Sequence, residues 1–191
     1  MGGFESIDEG IVAGQTIANE DIDSAAEINP LKIEKQSIYI DCLINGAILS
    51  GASVAVTIDN FPYILLPNAN SGTIILTTRM PRGEITPGEK MKVRILWTSA
   101  TTGSQVRFVI QLKPAIAGVS NLGSAIERAV VSAGPSSANF GIEAIAEFPA
   151  SIFSNEQIVG LYISRDPTNV LDTLAADIKV AAIILEINGR C

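Results

Sequence analysis

The sequence of 191 residues has no histidine, two cysteines and 5% aromatic residues. The absence of histidine removes the commonest general base, the commonest zinc ligand and the usual pH-sensitive side chain, and it excludes a Ser-His-Asp hydrolase. No serine lies in a motif typical of another hydrolase, and no glycine-rich segment ends in the Gly-Lys-Ser/Thr of a phosphate-binding loop. We therefore predict no catalytic residue, no cofactor and no enzymatic activity.

Basic residues are also scarce, because 13 Lys and Arg stand against 20 Asp and Glu and give a net charge of −7. Proteins that bind nucleic acid cluster Lys and Arg to neutralise phosphates, whereas here the basic residues are scattered, so no nucleic-acid partner is predicted. No window approaches the ~20 apolar residues of a membrane helix, and no basic-then-apolar leader opens the chain. Membrane insertion is therefore not expected.

The two cysteines, Cys42 and Cys191, are too few for a disulfide framework in a chain of this length. We expect two unpaired thiols, although the spacing leaves their redox state open. The hydrophobic content of 47% against 17% charged residues is high for the surface of a monomer. This composition favours assembly with other chains.

The sequence contains many short apolar runs that are separated by turn residues. In the run at 92–98, for example, Val93, Ile95 and Trp97 alternate with Lys92 and Arg94. Strict alternation predicts a half-buried antiparallel strand and places Trp97 in the core. Strands are predicted at 37–45, 52–58, 61–66, 73–80, 92–98, 105–113, 139–148, 158–163 and 178–187. The segment 99–104 is interpreted as a hairpin loop, and 114–133 fits either a short helix or a strand.

These runs recur every 10–15 residues or so, which predicts an all-β fold. The two apolar runs at 158–163 and 178–187 are expected to form the core of the domain, with a turn-rich acidic excursion between them. We predict an antiparallel β-sandwich, jelly-roll-like, of about eight strands over residues 36–191. Residues 1–35 would form an extended N-terminal arm.

The first 35 residues differ from the rest because they are acidic and lack alternation. From Ile11 their isoleucines follow at intervals of 6, 5, 6 and 5 residues, which neither a helix nor a strand produces. Several parallel copies of the chain could stack these side chains along one axis, whereas a disordered acidic leader would carry them by chance. The predicted oligomer or docking interface consists of Ile11, Ile17, Ile22, Ile28 and Ile33.

The segment GQTIANEDIDSAAEINPLKI resembles the stalk motif of phage tail fibres, in which "xxIxxxDIxxxAAIxxxKI" recurs in slender homotrimeric shafts. Pro30 departs from that pattern. The matching positions are Ile17, Asp21, Ile22, Ala25, Ala26, Ile28, Lys32 and Ile33. The resemblance implies a short stalk that forms a homotrimer or docks to a particle.

The closing segment GLYISRDPTNVLDTLAADIKVAAIILEI is similar to the last part of a sandwich domain found in uncharacterised phage structural proteins. The matching positions are Arg165, Asp166, Asp172, Thr173, Ala175, Ala176 and Asp177. Together the two resemblances imply a virion protein, either a short fibre or a capsid decoration subunit, assembled in the host cytoplasm and displayed on the virion surface. Its expected partners are further copies of itself, other capsid or tail proteins, and a host-surface receptor or glycan.

Acidic residues are the remaining candidates for a site. Asp166, Asp172 and Asp177 could supply oxygen ligands to Ca²⁺, but their spacing matches no EF-hand, and we expect turn formers with Arg165 paired to one of them. Glu143 and Glu147 would lie about 13 Å apart on one strand face, farther than a glycosidase pair. No metal site is therefore predicted, while the role of the three aspartates stays open.

Two other functions remain compatible with the sequence. A carbohydrate-binding β-sandwich module would need exposed aromatic side chains, for which Tyr39, Tyr63 and Tyr162 are the candidates once Trp97 is assigned to the core. A self-assembling extracellular filament subunit would insert its N-terminal segment into the sheet of a neighbour. The shape of the assemblies would distinguish the filament from a closed trimer.

Overall fold

The structure is a computed structural model that describes residues 36–42, 46–51, 53–58, 61–80, 84–85, 89–115, 124–153 and 157–190. These residues belong to the compact unit Lys35–Cys191. The arm predicted at 1–35, with the five isoleucines of its predicted interface, and Cys191 lie outside the described residues. No helix within the described ranges is long and apolar enough to cross a membrane.

The described residues form twelve β-strands and a 3-10 turn at Ala150–Ile152. In chain order the strands are β1 (Gln36–Cys42), β2 (Ile48–Gly51), β3 (Val54–Ile58), β4 (Phe61–Leu66), β5 (Gly72–Arg79), β6 (Glu84–Ile85), β7 (Lys90–Ser99), β8 (Gln105–Pro114), β9 (Ile126–Ala133), β10 (Ile142–Pro149), β11 (Ile158–Arg165) and β12 (Ile178–Arg190).

The strands make two antiparallel sheets. The first follows the order β10-β7-β12-β4-β3, and β1 and β6 also pair with β12. The second follows the order β2-β5-β11-β8-β9. Most consecutive strands lie in different sheets, which is the connectivity of a jelly-roll-like sandwich. The predicted all-β sandwich is confirmed.

The core lies on the inner faces of the two sheets, where alternate residues of strands such as β7 and β8 are buried. Trp97 shows the pattern: its side chain is fully buried, its ring meets Phe108 of the opposite sheet edge-on at 5.8 Å between centroids, and its Nε1 donates a hydrogen bond to Ser132 Oγ at 3.1 Å. Burial of each such apolar side chain stabilises the fold by about 1.5–3 kcal/mol. The assignment of Trp97 to the core is confirmed.

The two C-terminal apolar runs are central strands, but they lie in opposite sheets. β11 pairs with β5 and β8, whereas β12 pairs with β7 along one edge and with β4 and β1 along the other. Each strand is therefore flanked on both edges as well as covered by the opposing sheet. That position explains why both sequences are so apolar.

Four details differ from the prediction. β2 and β6 were not predicted, because strands of four and two residues that lie among Gly, Ser and Pro are too short to show an alternating pattern. The segment 99–104 is not a hairpin loop, since it joins β7 to β8 in the other sheet. Part of the ambiguous segment 114–133 is strand β9 rather than helix. The strand predicted at 139–148 begins at Ile142, because Asn139 has a positive φ of 60°.

Candidate functional site

Two adjoining recesses open on the outer face of the seven-stranded sheet, where β7, β12 and β4 lie side by side. Their volumes are about 290 Å³ and about 190 Å³. Both contain Tyr63, Thr98 and Asn139, and we refer to the two together as the Tyr63 groove. The residues that line it include Ile58, Phe61, Tyr63, Leu96, Thr98, Asn139, Gly141, Lys179 and Ala181.

Two aromatic rings form the floor at the β4 side. Phe61 and Tyr63 are two residues apart on β4, where they alternate with the buried Ile64 and Leu66 and therefore share the outer face. Their ring centroids are 5.0 Å apart with an interplanar angle of 53°, and 49% of Phe61 is exposed. Tyr63 is half-buried. Aromatic rings that are partly open to solvent beside a few polar groups are typical of a ligand site.

Asn139 reaches the opposite side of the groove from the loop before β10. Its φ of 60° lies in the left-handed region, which costs a non-glycine residue free energy. The neighbouring strand holds the loop in place, since Asn139 N–H donates to the Ser99 carbonyl at 2.7 Å and Thr98 Oγ1 donates to the Phe140 carbonyl at 3.0 Å. These two hydrogen bonds anchor the loop that carries Asn139 to β7.

A β-bulge shapes the middle of the groove. The register of the β7–β12 pair shifts between Val180 and Ala182, so Ala181 is the extra residue, and its small side chain lines the groove. Bulges locally bend a strand and redirect its side chains, and they are common next to binding sites. The bulge lies two residues after Lys179, whose side chain also lines the groove.

Several polar groups of the groove keep hydrogen-bonding capacity that no described residue uses. Lys179 Nζ donates a hydrogen bond to Asn139 Oδ1 at 3.4 Å, and it makes no ion pair with any described residue. The Tyr63 hydroxyl has no hydrogen-bond partner in the described part of the chain. Among the described residues, the lining contains one cation and no carboxylate. The groove therefore offers aromatic surface together with free hydrogen-bonding groups, which is what a polar organic ligand requires.

The charged residues next to the groove, in contrast, neutralise one another. They form a ladder across β10, β7 and β12 that consists of Lys90, Lys92, Arg94, Glu143, Glu147 and Glu186. Burial alone would raise the pKa of Glu186, but hydrogen bonds from Arg94 at 2.6 Å and Lys92 at 3.3 Å outweigh it and hold the pKa below its usual value. The same contact with Glu186 raises the pKa of Arg94.

The three aspartates that the sequence analysis expected to be turn formers serve the loop between β11 and β12. Arg165 is 1% exposed and donates to both carboxylate oxygens of Asp172, at 2.9 and 2.7 Å. Arg165 also donates to the carbonyls of Leu174 and Ala176 and to Asn68 Oδ1. We refer to these residues as the Arg165 cluster. The expected pairing of Arg165 with one of the aspartates is confirmed.

The other two aspartates are engaged as well. Asp166 forms an ion pair with Arg107 and accepts a hydrogen bond from Thr168, and Asp177 accepts the Asn68 N–H at 2.8 Å. No three acidic or sulfur side chains converge as metal ligands within the described residues. The acidic excursion is thus built from satisfied turns.

The structure separates the three tyrosines that the sequence proposed for sugar binding. Tyr63 lies in the groove, whereas Tyr39 is 60% exposed on β1 and pairs across the strands with Glu186. Tyr162 lies in the other sheet, where Lys113 Nζ sits 4.2 Å from the ring centroid.

Glu143 and Glu147 are exposed on β10 as expected. Cys42 is a free buried thiol whose pKa is raised to about 11 by burial and by the charge of Asp41.

A larger recess of about 390 Å³ lies at the edge between β9 and β10. Lys90 binds Glu147 there, and Arg128 donates to the Glu127 carbonyl and lies 5.9 Å from the Phe148 ring centroid. Phe148, the aromatic residue of this recess among the described residues, is fully buried, whereas the Tyr63 groove contains the Phe61–Tyr63 ring pair. We therefore take the Tyr63 groove as the candidate site.

Sequence reasoning missed Phe61, Asn139 and Lys179. Phe61 stands two residues before Tyr63 in a predicted strand, so the shared face was readable. Lys179 is a lone cation in the apolar run 178–187, which is a signal of an outward-facing role. Asn139 was assigned to a strand, and only the Asn-Phe-Gly sequence hinted at a left-handed turn.

No protein-family model and no curated protein matches the chain. Among solved structures, the xylan-binding module CBM15 aligns with 82% of this chain and 100% of its own, at 9% identity and a TM-score of 0.46. The module TmCBM61, solved with β-1,4-galactotriose, aligns with 76% of this chain and 86% of its own, at 11% identity and a TM-score of 0.37.

The enzymatically active domain of bacteriophage CBA120 tailspike protein 4 is also similar, at 7% identity and a TM-score of 0.37. The match covers 80% of this chain but spans only 19% of the tailspike chain. With TM-scores under 0.5, these similarities assign no ligand to this chain.

Proposed function

We propose that the β-sandwich is a non-catalytic module that binds carbohydrate in the Tyr63 groove. The observation that carries the proposal is the combination of the partly exposed Phe61–Tyr63 ring pair with the remaining hydrogen-bond donors of Asn139 and Lys179. Of the functions that the sequence leaves open, this one uses the residues that the fold brings together on the outer face.

A sugar matches both the aromatic surface and the hydrogen-bonding groups of the groove. The C–H faces of a pyranose are apolar and pack against aromatic rings, while its hydroxyls need directional donors and acceptors. Rigid aromatic side chains supply contact area at low entropic cost, and strand-borne polar groups are held in place before the ligand arrives. The described residues that line the groove include no carboxylate pair of the kind that glycosidases use, and we propose binding without glycoside hydrolysis.

The test is a glycan array probed with the full-length chain, followed by calorimetric titration of the bound saccharides. We expect selective binding that is lost in the Tyr63→Ala variant. Absence of binding to every saccharide, or equal binding by Tyr63→Ala, would overturn the proposal. Incubation of the bound saccharides with the chain should release no reducing ends, and their release would contradict a non-catalytic role.

A second proposal concerns the setting of the module rather than its ligand. The stalk-like segment with Ile17, Ile22, Ile28 and Ile33 favours a homotrimeric virion protein, a short fibre or a capsid decoration subunit, in which the sandwich faces the host surface. A glycan-binding knob would serve such a protein as a receptor-binding part. Trimerisation would bury the isolated isoleucines at about 1.5–3 kcal/mol for each side chain.

Light scattering after size exclusion tests whether the chain is a trimer. It is applied to the full-length chain and to a variant in which serine replaces the five isoleucines of the predicted interface, Ile11, Ile17, Ile22, Ile28 and Ile33. A trimer that becomes a monomer in the variant supports the stalk. A trimer in both places the interface on the sandwich, and a monomer in both overturns the proposed trimer. Long open-ended polymers would instead favour the filament subunit.

A further inference from the structure

We propose that the Tyr63 groove selects saccharides that carry a carboxylate, such as uronic acids, and that Lys179 is the residue that binds this group. The inference rests on carbohydrate binding by the groove and adds the charge of the ligand. It follows from the charges of the lining and from the geometry of β4 and β12.

Lys179 is the one charged residue that lines the groove among the described residues. Its strand neighbours are Leu65 on β4 and Thr98 on β7, so it is flanked by an apolar and a neutral side chain. Glu143, which faces Leu96 across the next strand pair, is held by Arg94 at 2.8 Å. No carboxylate in the described part of the chain therefore neutralises the ammonium of Lys179.

The contact between Lys179 and Asn139 also leaves hydrogen-bond donors of both side chains available to a ligand. Because Lys179 Nζ binds Asn139 Oδ1, the amide nitrogen of Asn139 is directed elsewhere, and two ammonium protons remain. An ammonium and an amide N–H₂ are donors only. A carboxylate accepts hydrogen bonds only, and charged pairs of this kind are stronger than neutral ones. A neutral sugar hydroxyl would use these donors less fully.

The spacing between Tyr63 and Lys179 suits one monosaccharide. Lys179 pairs with Leu65, and Tyr63 precedes Leu65 by two residues on β4. Tyr63 and Lys179 are therefore diagonal neighbours at roughly 7–8 Å. In a hexuronate the carboxylate is attached directly to the sugar ring. A ring stacked on Tyr63 would thus bring its carboxylate to Lys179.

The net charge of −7 does not oppose this assignment. At physiological salt, charges separated by more than ~8 Å are largely screened. The local cation then decides the interaction, whereas the remaining acidic residues contribute little. The affinity should accordingly fall as salt is raised.

The test uses the full-length chain on an array that holds neutral, carboxylated and sulfated saccharides. The bound carboxylated member is then compared with its carboxyl-reduced counterpart. Lys179→Met removes the charge and keeps most of the apolar stem, Lys179→Arg keeps the charge, and Lys113→Met is the matched control beside Tyr162 on the opposite sheet. Thermal unfolding checks that each variant is folded.

The proposal expects carboxylated saccharides to bind best and Lys179→Met to weaken them on the order of tenfold. Lys179→Arg should retain most of the affinity, and Lys113→Met all of it. Preference for neutral or sulfated saccharides, or equal binding of the reduced counterpart, would overturn the carboxylate assignment while carbohydrate binding stands. Binding of no saccharide would overturn the proposed function itself.

Discussion

The Arg165 cluster and the Tyr63 groove are both polar sites on the sandwich, yet they differ in what their polar groups do. Arg165 and Asp172 have fully buried side chains and spend their hydrogen bonds on each other, on Asn68 and on carbonyls of the acidic loop. Lys179 and Tyr63 keep hydrogen-bonding capacity that no described residue uses. A satisfied polar cluster orders the protein itself, whereas an open one is ready for a partner.

The contrast has a thermodynamic side. A buried charge without its partner is costly, so the Arg165 cluster must be complete for the loop between β11 and β12 to fold. The open groups of the groove lose little by staying in water, and they gain only when a ligand replaces that water. Substitutions should therefore affect stability at the first site and binding at the second.

The largest effect is expected at the Arg165 cluster. Arg165→Met leaves the buried Asp172 carboxylate without its cation and should lower the free energy of unfolding by about 3–5 kcal/mol. Urea unfolding monitored by fluorescence measures this value. Arg107→Met, which breaks the partly exposed pair with Asp166, is the matched control and should cost at most about 1 kcal/mol. Equal small losses in both variants would contradict a structural role for the cluster.

Tyr63→Ala should have the converse effect. Loss of a central aromatic contact is expected to weaken saccharide binding by about 2 kcal/mol, roughly 30-fold, with little change in unfolding free energy. Calorimetric titration measures the affinity. Tyr162→Ala removes a tyrosine from the opposite sheet and should leave binding unchanged. If both variants bound alike, the ring pair would not be the site.

The charge ladder beside the groove should behave as structure. The folded-state pKa of Glu186 is lowered, so its ion pairs stabilise the fold above the unfolded-state pKa near 4.5, and this stabilisation is lost as pH falls through the lowered value. We expect Glu186→Gln to cost about 1–2 kcal/mol at pH 7 and progressively less toward pH 3. Urea unfolding at several pH values tests this. A loss that stays constant down to pH 3 would contradict the ion-pair account.

Asn139 separates backbone strain from side-chain recognition and gives the smallest expected effect. Asn139→Gly accepts the positive φ without strain but removes the amide, so stability should be kept while affinity falls by about 0.5–1.5 kcal/mol. Asn139→Ala should lower both the stability of the fold and the affinity for the saccharide. Unfolding and titration data on the two variants decide the matter, and unchanged affinity in Asn139→Gly would exclude the amide from the site.

The sequence predicted the sandwich because alternation is a local property of each strand. The segment around Trp97, with its alternating Val93 and Ile95, is a clear case. Neither the sheet to which a strand belongs nor the crossing made by residues 99–104 is local, and the hairpin interpretation was therefore wrong. β2, with four residues, was too short for any period to show.

The candidate site was predictable only in part, for the same reason. Tyr63 was named from its residue type, but its neighbours come from four separate elements, and their meeting depends on the order β7-β12-β4. The left-handed backbone of Asn139 and the bulge at Ala181 follow from tertiary packing. The Arg165–Asp172 pair, in contrast, spans seven residues, and the sequence predicted that Arg165 pairs with one of the nearby aspartates.

The most direct test of the account is an NMR titration of the ¹⁵N-labelled full-length chain with the tightest-binding saccharide from the array. The account predicts that the largest chemical-shift changes occur at the Asn139 side-chain amide and at the backbone amides of Tyr63 and Ala181, while those of the Arg165 cluster stay unchanged. Changes centred on the recess at Arg128, or on the loop between β11 and β12, would contradict it.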